Sequence, residues 1–454
     1  MSNKKNMNRR MFLRTTGAAG LSAVFAEPIG STFAQQSSPK KARLAVIGTG
    51  IRAIDMWGKD VLDDYADKVE YVGLCDPNQG RVEFAKKYIG ATCPTYTDFD
   101  KMLTETKPDK IIVTTVDAYH DQYIIKSMQA GCDIITEKPM TTDEYKCRAI
   151  LDAEKKTGRN CTVTFNYRYN PHRAKLKELL DAGEIGTVTI ADFHWYLDTS
   201  HGADYFRRWH RLRSKSGSLL VHKATHHFDL LNWWLDSDPV EVFAYGALEF
   251  YGKNHEFRHT NCRGCPHKDK CLFFWDITKD KKLMQLYVEN EQYDGYLRDG
   301  CVWKEDIDIF DKMAVQIKYA NNVQVSYSLT TYSPYEGYRI AFNGTKGRLE
   351  TWIKERQPWT EPPNDEIRLT RNFGQSKIIN VPHAEGGHGG GDARLKAKIF
   401  KDPSLPDPLK QAAGSRDGAM SVLIGIAARN SIDTAKPVRI ADLTDIKPQP
   451  KRPV

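Results

Sequence analysis

Arg43-Leu44-Ala45-Val46-Ile47-Gly48-Thr49-Gly50-Ile51-Arg52-Ala53 is the stretch that decides the fold. Leu44 to Ile47 reads as an apolar strand, Gly48-Thr49-Gly50 as a turn, and Ile51-Arg52-Ala53 as the opening of a helix. This is a GxGxxA pattern in the context that gives it meaning. The first glycine permits the tight turn, the second lets backbone approach a pyrophosphate, and Ala53 allows close helix–strand packing, while the helix N-terminus attracts the anion. Val69 to Cys75 forms a second apolar strand, closed by Asp76-Pro77-Asn78. Asp76 follows the glycines by about 25 residues, where a carboxylate can bind both ribose hydroxyls. Gly48, Gly50, Ile51, Arg52 and Asp76 are therefore candidate cofactor residues. The carboxylate favours NAD, while Arg52 and Arg81 keep NADP open as hosts for a 2′-phosphate.

The same alternation continues outward. Strands are predicted at Lys110 to Thr115, Asp133 to Thr136 and Thr162 to Phe165, with helices at 119 to 130 and 142 to 156 between them. Strands alternating with helices predict an α/β, doubly wound parallel sheet over residues 41–165. In Ile134-Ile135-Thr136-Glu137-Lys138-Pro139-Met140 the proline cannot donate to a ladder, so the strand ends there. Lys138 then stands at the C-terminal lip of a strand, where ligands bind in open α/β sheets. A lysine there can hydrogen-bond a reacting hydroxyl or relay its proton; the competing reading is a surface lysine.

From residue 166 the pattern changes to longer alternating strands: Val188 to Tyr196, Val240 to Phe250, Met313 to Tyr319, Val323 to Leu329 and Gly337 to Asn343. Asn321-Asn322 supplies a hairpin turn. A second, α+β domain with a large, mostly antiparallel open sheet is expected over residues 166–440, with a late helix at Ala419 to Thr434. Residues 251–312 read as an insertion, and 353–410, rich in proline, glycine and charge, as largely loop.

The chain has 454 residues and a formal charge of +8. Residues 1–34 hold Lys4, Lys5, Arg9, Arg10 and Arg14 against Glu27, half of that excess. The remaining charge is too mild for nucleic acid, and no basic stripe interleaves with aromatics. Asn8-Arg9-Arg10-Met11-Phe12-Leu13-Arg14 before a weakly apolar, Gly/Ala-rich run is a twin-arginine pattern, with cleavage expected after Ala34 or Ala26. A soluble product without a membrane anchor, exported to the periplasm or its equivalent by the twin-arginine machinery, is expected. Five cysteines scatter through the first half as small hydrophobes. Cys262, Cys265, Cys271 and Cys301 form a separate group with metal-ligand flavour; a structural zinc or iron–sulfur site, disulfides and free thiols all stay open.

The segments GTGIRA, CDPNQGR, EKPM, FNYRYNP and THHFDLLNWWL, in this order and spacing, resemble the glucose–fructose oxidoreductase / inositol dehydrogenase family. The resemblance covers roughly residues 42 to 350 and implies its two-domain fold. It also implies that Lys138 hydrogen-bonds the substrate hydroxyl, that Pro139 is cis, and that His226 takes the hydroxyl proton, a role suited to an imidazole. Thr115, His120, Glu137, Lys138 and Asn166 complete the cofactor set, with Asp117 on the same loop as Thr115. Tyr167, Arg168, Lys223 and Asp229 line the substrate side, and Trp209 and Arg211 lie, with Trp195 and Tyr205, in a stretch able to stack on a sugar ring. One departure concerns His222, which stands where many members carry aspartate; its role as a second catalytic residue is open. His222, His226 and Asp229 share helical spacing with metal ligands, but Lys223 beside them would repel a cation.

The expectation is an exported NAD(P)-dependent oxidoreductase acting on a sugar, glycoside or polyol hydroxyl with a tightly bound cofactor, and oligomerising as the family does. Two other readings compete: an NAD-dependent glycosidase working by transient oxidation and elimination, and a sugar-binding protein with a vestigial site. The Gly386 to Asp392 stretch lacks the strand and the Lys-Ser/Thr ending of a phosphate loop; His388 or Asp392 could reach the substrate.

Overall fold

The computed structural model describes residues 40–453; the leader read at 1–34 lies outside the described residues. Lys41 onward forms one compact unit. Six parallel strands build the first sheet: β1 (Ala42–Ile47), β2 (Val69–Cys75), β3 (Thr95–Tyr96), β4 (Lys110–Val113), β5 (Asp133–Thr136) and β6 (Cys161–Val163), in the order β3-β2-β1-β4-β5-β6. The order reverses between β2 and β4, on either side of β1, which creates a crevice at the C-terminal ends of the strands. Leu44 to Ile47 are wholly buried, as a central strand covered by helices on both faces must be. Asn78, Asp98 and Asp143 each cap the helix that follows by accepting from a backbone N–H three residues on, the N-cap chemistry of short polar side chains.

The second sheet has nine strands: β7 (Val188–Asp198), β8 (Pro239–Ala247), β9 (Lys312–Tyr319), β10 (Gln324–Ser333), β11 (Glu336–Gly344), β12 (Gly347–Arg356), β13 (Asn364–Arg371), β14 (Ser376–Pro382) and β15 (Val438–Arg439). Their order is β14-β13-β12-β11-β7-β10-β9-β8-β15. All pairings are antiparallel except β7 with β10. Asn322 takes a left-handed conformation in the β9–β10 turn. The helices Ala224–Leu235 and Ser415–Thr434 cover one face of this sheet, and the first of them is buried along its whole length.

Residues 353–410 depart from the loop expectation. β12 extends to Arg356, and β13 and β14 add a hairpin at the sheet edge. Their signal is weak because only Ile367 and Leu369 of β13 are buried, and β14 has no buried residue; charged, half-solvated edges read like loop.

The cysteine group is also corrected. Cys262, Cys265, Cys271 and Cys301 do not assemble a metal site: among the described residues no group of three or more His, Cys, Asp or Glu is placed to hold an ion. All four are free thiols. The Cys262 sulfur accepts from Arg207 Nη1 at 3.1 Å, and a guanidinium at the sulfur opposes a cation. The insertion is held instead by the Asn261–Gly300 bridge and by Asp299, which binds Arg263.

Candidate active site

Gly48 adopts φ +87°, and a Cβ there would lie 2.8 Å from the backbone of Thr114 and Thr115. Only glycine permits that approach of β1 to β4. The turn is pinned by Thr114 Oγ1, which donates to the Gly48 carbonyl at 2.6 Å. Asp76 at the end of β2 accepts from Thr49 N at 2.8 Å and Asn78 N at 2.9 Å, so its carboxylate is fixed at the lip where a ribose would lie. Arg81 leans on Asp76 at 3.3 Å and also pairs with Asp294. Arg52 points to the other end of the crevice, with Nε 2.7 Å from Glu137 and Nη1 3.3 Å from Asp392. A turn whose glycines bring backbone to the lip of the crevice, with a fixed acidic residue at the end of the next strand, fits a dinucleotide. When bound there, NAD would be held by Gly48, Gly50, Ile51 and Asp76 and would supply the hydride acceptor.

Lys138 stands at the end of β5, and its bond to Pro139 is cis. The turn is secured by His120, whose Nδ1 contacts the Pro139 carbonyl at 2.9 Å and whose Nε2 contacts that of Thr115 at 3.1 Å. His120 thus ties the β4 and β5 loops together. A neutral imidazole donates from one ring nitrogen only, so one of these carbonyls accepts from it, and the ring, packed between the two loops, positions them. Lys138 Nζ makes a long 3.4 Å contact to the His222 carbonyl. Burial lowers its pKa to about 8, Asp117 and Glu137 opposing this and Lys223 and Arg52 adding to it.

The carboxylate missing at position 222 comes from elsewhere in the chain. Asp117, on the loop after β4, meets His222 Nδ1 at 2.5 Å, both buried. Burial drives the Asp117 carboxyl well above its usual range, against the pull of Lys138. Burial and then Lys138 drive His222 well down. Both shifts favour uncharged forms, so the two groups share a proton beside the Lys138 ammonium.

His226 stacks on Tyr167 with centroids 4.0 Å apart and planes 10° from parallel. Its Nδ1 is buried and has no hydrogen-bond partner among the described residues. Burial, then Lys138 and Lys223, lower its pKa well below the ordinary histidine value, which leaves a neutral imidazole ready to accept a proton. Lys223 Nζ donates to the Tyr167 hydroxyl at 3.1 Å. Trp209 lies edge-on to His222 at 5.7 Å. The Gly386 to Asp392 stretch closes on the same region, with the His388 ring 5.5 Å from Tyr167 and 6.5 Å from His226. Asn166 Nδ2 reaches both Asp392 Oδ1, at 2.5 Å, and His388 Nδ1.

Other expected site residues are engaged elsewhere. Arg168 forms a two-pronged ion pair with Asp229, at 2.8 and 2.6 Å, each residue 1 % exposed. They brace the helix that carries His226 and have no free valence for a substrate, which corrects their expected role. Arg211 is bound by Asp306 of the insertion at 2.7 Å, so it too leaves the substrate set. Trp195 is wholly buried between Tyr167 and His227 and belongs to the core. Sequence reasoning missed His210, stacked on Trp209 at 3.6 Å and edge-on to His222 at 4.1 Å. It also missed Tyr287, from the insertion, which accepts from Ile51 N at 2.9 Å. Neither carries a motif.

Two family models match: the oxidoreductase family's NAD-binding Rossmann fold over residues 42–165, and its C-terminal alpha/beta domain over 177–440. The Bacillus subtilis protein YteT, named only as an oxidoreductase, is 39% identical over 87% of this chain and 97% of its own. An inositol 2-dehydrogenase/D-chiro-inositol 3-dehydrogenase of Lactiplantibacillus plantarum is 26% identical over 46% of this chain and 58% of its own. An Agrobacterium radiobacter oxidoreductase, solved with NAD+, L-tartaric acid and magnesium, shares the fold with a TM-score of 0.62 at 14% identity, covering 89% of this chain and 100% of that one. With both domains matched, and the glycine turn, Asp76 and Lys138-Pro139 in place, the chain belongs to the glucose–fructose oxidoreductase / inositol dehydrogenase family of NAD-binding oxidoreductases.

Proposed function

We propose that the protein is an NAD-dependent dehydrogenase or oxidoreductase for a sugar, glycoside or polyol hydroxyl. The observation that carries this reading is the meeting of Lys138 with the His222–Asp117 pair beside His226, whose buried Nδ1 has no partner among the described residues. In the oxidation direction the Lys138 ammonium hydrogen-bonds the substrate oxygen and stabilises charge growing on it. The His226 imidazole accepts the hydroxyl proton as the C–H bond breaks and the carbonyl forms. Lys223 and Tyr167 fix the floor against which the ring of the substrate lies. The Asp76 carboxylate, fixed by Thr49 N and Asn78 N and holding Arg81 at 3.3 Å, is placed for ribose hydroxyls and supports NAD over NADP.

Export by the twin-arginine route belongs to the same proposal, resting on Arg9-Arg10 and the run after it. An exported compartment offers no evident nicotinamide pool, so the cofactor stays bound and is recycled between two half-reactions. Oligomerisation through the open face of the nine-stranded sheet is likewise proposed. The test is to purify the exported protein, measure its bound nucleotide, and screen sugars and polyols for formation of the reduced cofactor. Turnover lost in His226→Ala and Lys138→Ala with nucleotide content retained is the expected result. Release of nitrophenol from nitrophenyl glycosides without net reduced cofactor would move the assignment to a redox-assisted glycosidase. Unchanged activity in both variants would leave a binding protein.

A further inference from the structure

The Ile51 N–H opens the helix after the glycine turn and is one of the donors this fold offers to a pyrophosphate. Here it donates to the hydroxyl of Tyr287, 236 residues away in the insertion. A Cβ on Gly50 would stand 3.3 Å from that same oxygen, so the space the second glycine leaves open is bordered by a phenol. Among the described residues the hydroxyl's own proton goes to no protein acceptor. A group that accepts from the helix N-terminus and still has a proton to give can pass that donor power on to an anionic oxygen.

The segment around Tyr287 is built onto the nucleotide-binding unit. Leu286 is wholly buried in the cluster that holds Val46, Ile54, Trp57 and Leu74. Asn78 Nδ2 donates to the Asn290 carbonyl at 2.9 Å. A Cβ at Gly80 would fall 1.9 Å from Asn290 Oδ1, so this helix start has a glycine where the segment crosses it. Lys282 pairs with Asp55 at 3.0 Å, and Arg81 joins Asp76 to Asp294. Every one of these anchors falls within residues 46–81, the unit that carries the glycine turn and the ribose carboxylate. A segment serving only to fill the surface would need the Tyr287 ring, not its hydroxyl on the fingerprint N–H.

We propose that Tyr287 is a nucleotide-binding residue and that residues 281–296 form a strap, supplied by the chain's own insertion, that holds the pyrophosphate of NAD and slows its release. The inference rests on the nucleotide reading above. It is tested with NAD as the probe on the full mature protein and its Tyr287→Phe variant, which keeps the ring and removes the hydroxyl. Loaded protein is desalted and its remaining NAD followed over time by native mass spectrometry, with hydrogen exchange recorded across residues 281–296. NAD is expected to leave the variant about tenfold faster, the loss of one hydrogen bond to a charged group. Unfolding of the nucleotide-free variant is expected to match wild type, and exchange in the strap to slow when NAD binds wild type. Equal release from both proteins would make Tyr287 packing alone. Tighter binding by the variant would make the hydroxyl a competitor and the segment a plug; either result overturns the strap. Wild-type protein that never holds NAD would instead defeat the nucleotide reading itself.

Discussion

Burial sets the charge of Lys138 first, and the pH profile follows from it. Burial lowers the Lys138 pKa to about 8, and the ammonium form is the one that supports the substrate oxygen. Its contribution is therefore present below that value and lost as pH rises through it. His226, lowered well below its usual range, is already neutral at the pH where an ordinary histidine would still be charged. The expected kcat/KM profile for alcohol oxidation is a plateau near neutrality that falls above pH about 8, with an acid limb below the roughly 6.5 of a free histidine. Glu137→Gln removes a carboxylate that raises the Lys138 pKa, so its basic limb should move to lower pH; a limb that stays in place would separate Lys138 from the profile. The Arg168–Asp229 fork makes a second prediction at this scale. Cutting one side of a fully buried pair leaves the other charge unpaired, which costs about 3–5 kcal/mol. Arg168→Met should lower stability by that amount in denaturant titration while nucleotide affinity of the folded fraction is unchanged.

The glycine-rich stretch Gly386 to Asp392 closes the site through a contact only glycine allows. A Cβ on Gly391 would stand 2.5 Å from the Asn166 carbonyl, and the next residue, Asp392, holds Arg52, Asn166 and His388 together. Gly391→Ala should push this closure outward, lowering kcat/KM by about tenfold, the equivalent of about 1.4 kcal/mol. Gly391 is itself buried, so Tm should fall as well, and kcat/KM is compared per folded molecule; an unchanged kcat/KM would remove the closure from catalysis. What was legible in the sequence divides along the same line. The strand–turn–helix of residues 43–53, the stop at Pro139 and the alternating strands of the second sheet are local patterns, and the structure has them within a few residues. Asp117 was visible only as a member of the loop after β4, since its partner lies 105 residues on. Tyr287 was invisible, because nothing local to an insertion says which turn it will cover. Arg168 and Asp229 were misread because the fork that binds a substrate carboxylate and the fork that binds an internal one use the same residue types.

Among the described residues one face of the nine-stranded sheet has no covering helix layer, and a concavity of about 720 Å³ lies there, away from Lys138. Its lining includes His194, Arg339, Trp352, Asp365 and His383. Trp352 is 40% exposed, with the Arg339 guanidinium 4.0 Å over its ring and Lys354 at 4.7 Å. An exposed Trp beneath an Arg guanidinium pairs the two residue types in which interface hot spots are enriched. A second copy placing the same face against this one would bring cationic and acidic groups of the same patch together, as a two-fold contact requires. Trp352→Glu puts a charge at the centre of that contact and is expected to shift the protein from oligomer to monomer in sedimentation velocity. Since Trp352 lies on the sheet face and the Lys138 crevice at the strand ends of the other sheet, the monomer should keep its bound nucleotide. A wild-type protein that sediments as a monomer at every concentration would leave the cavity a surface feature and end the oligomer proposal.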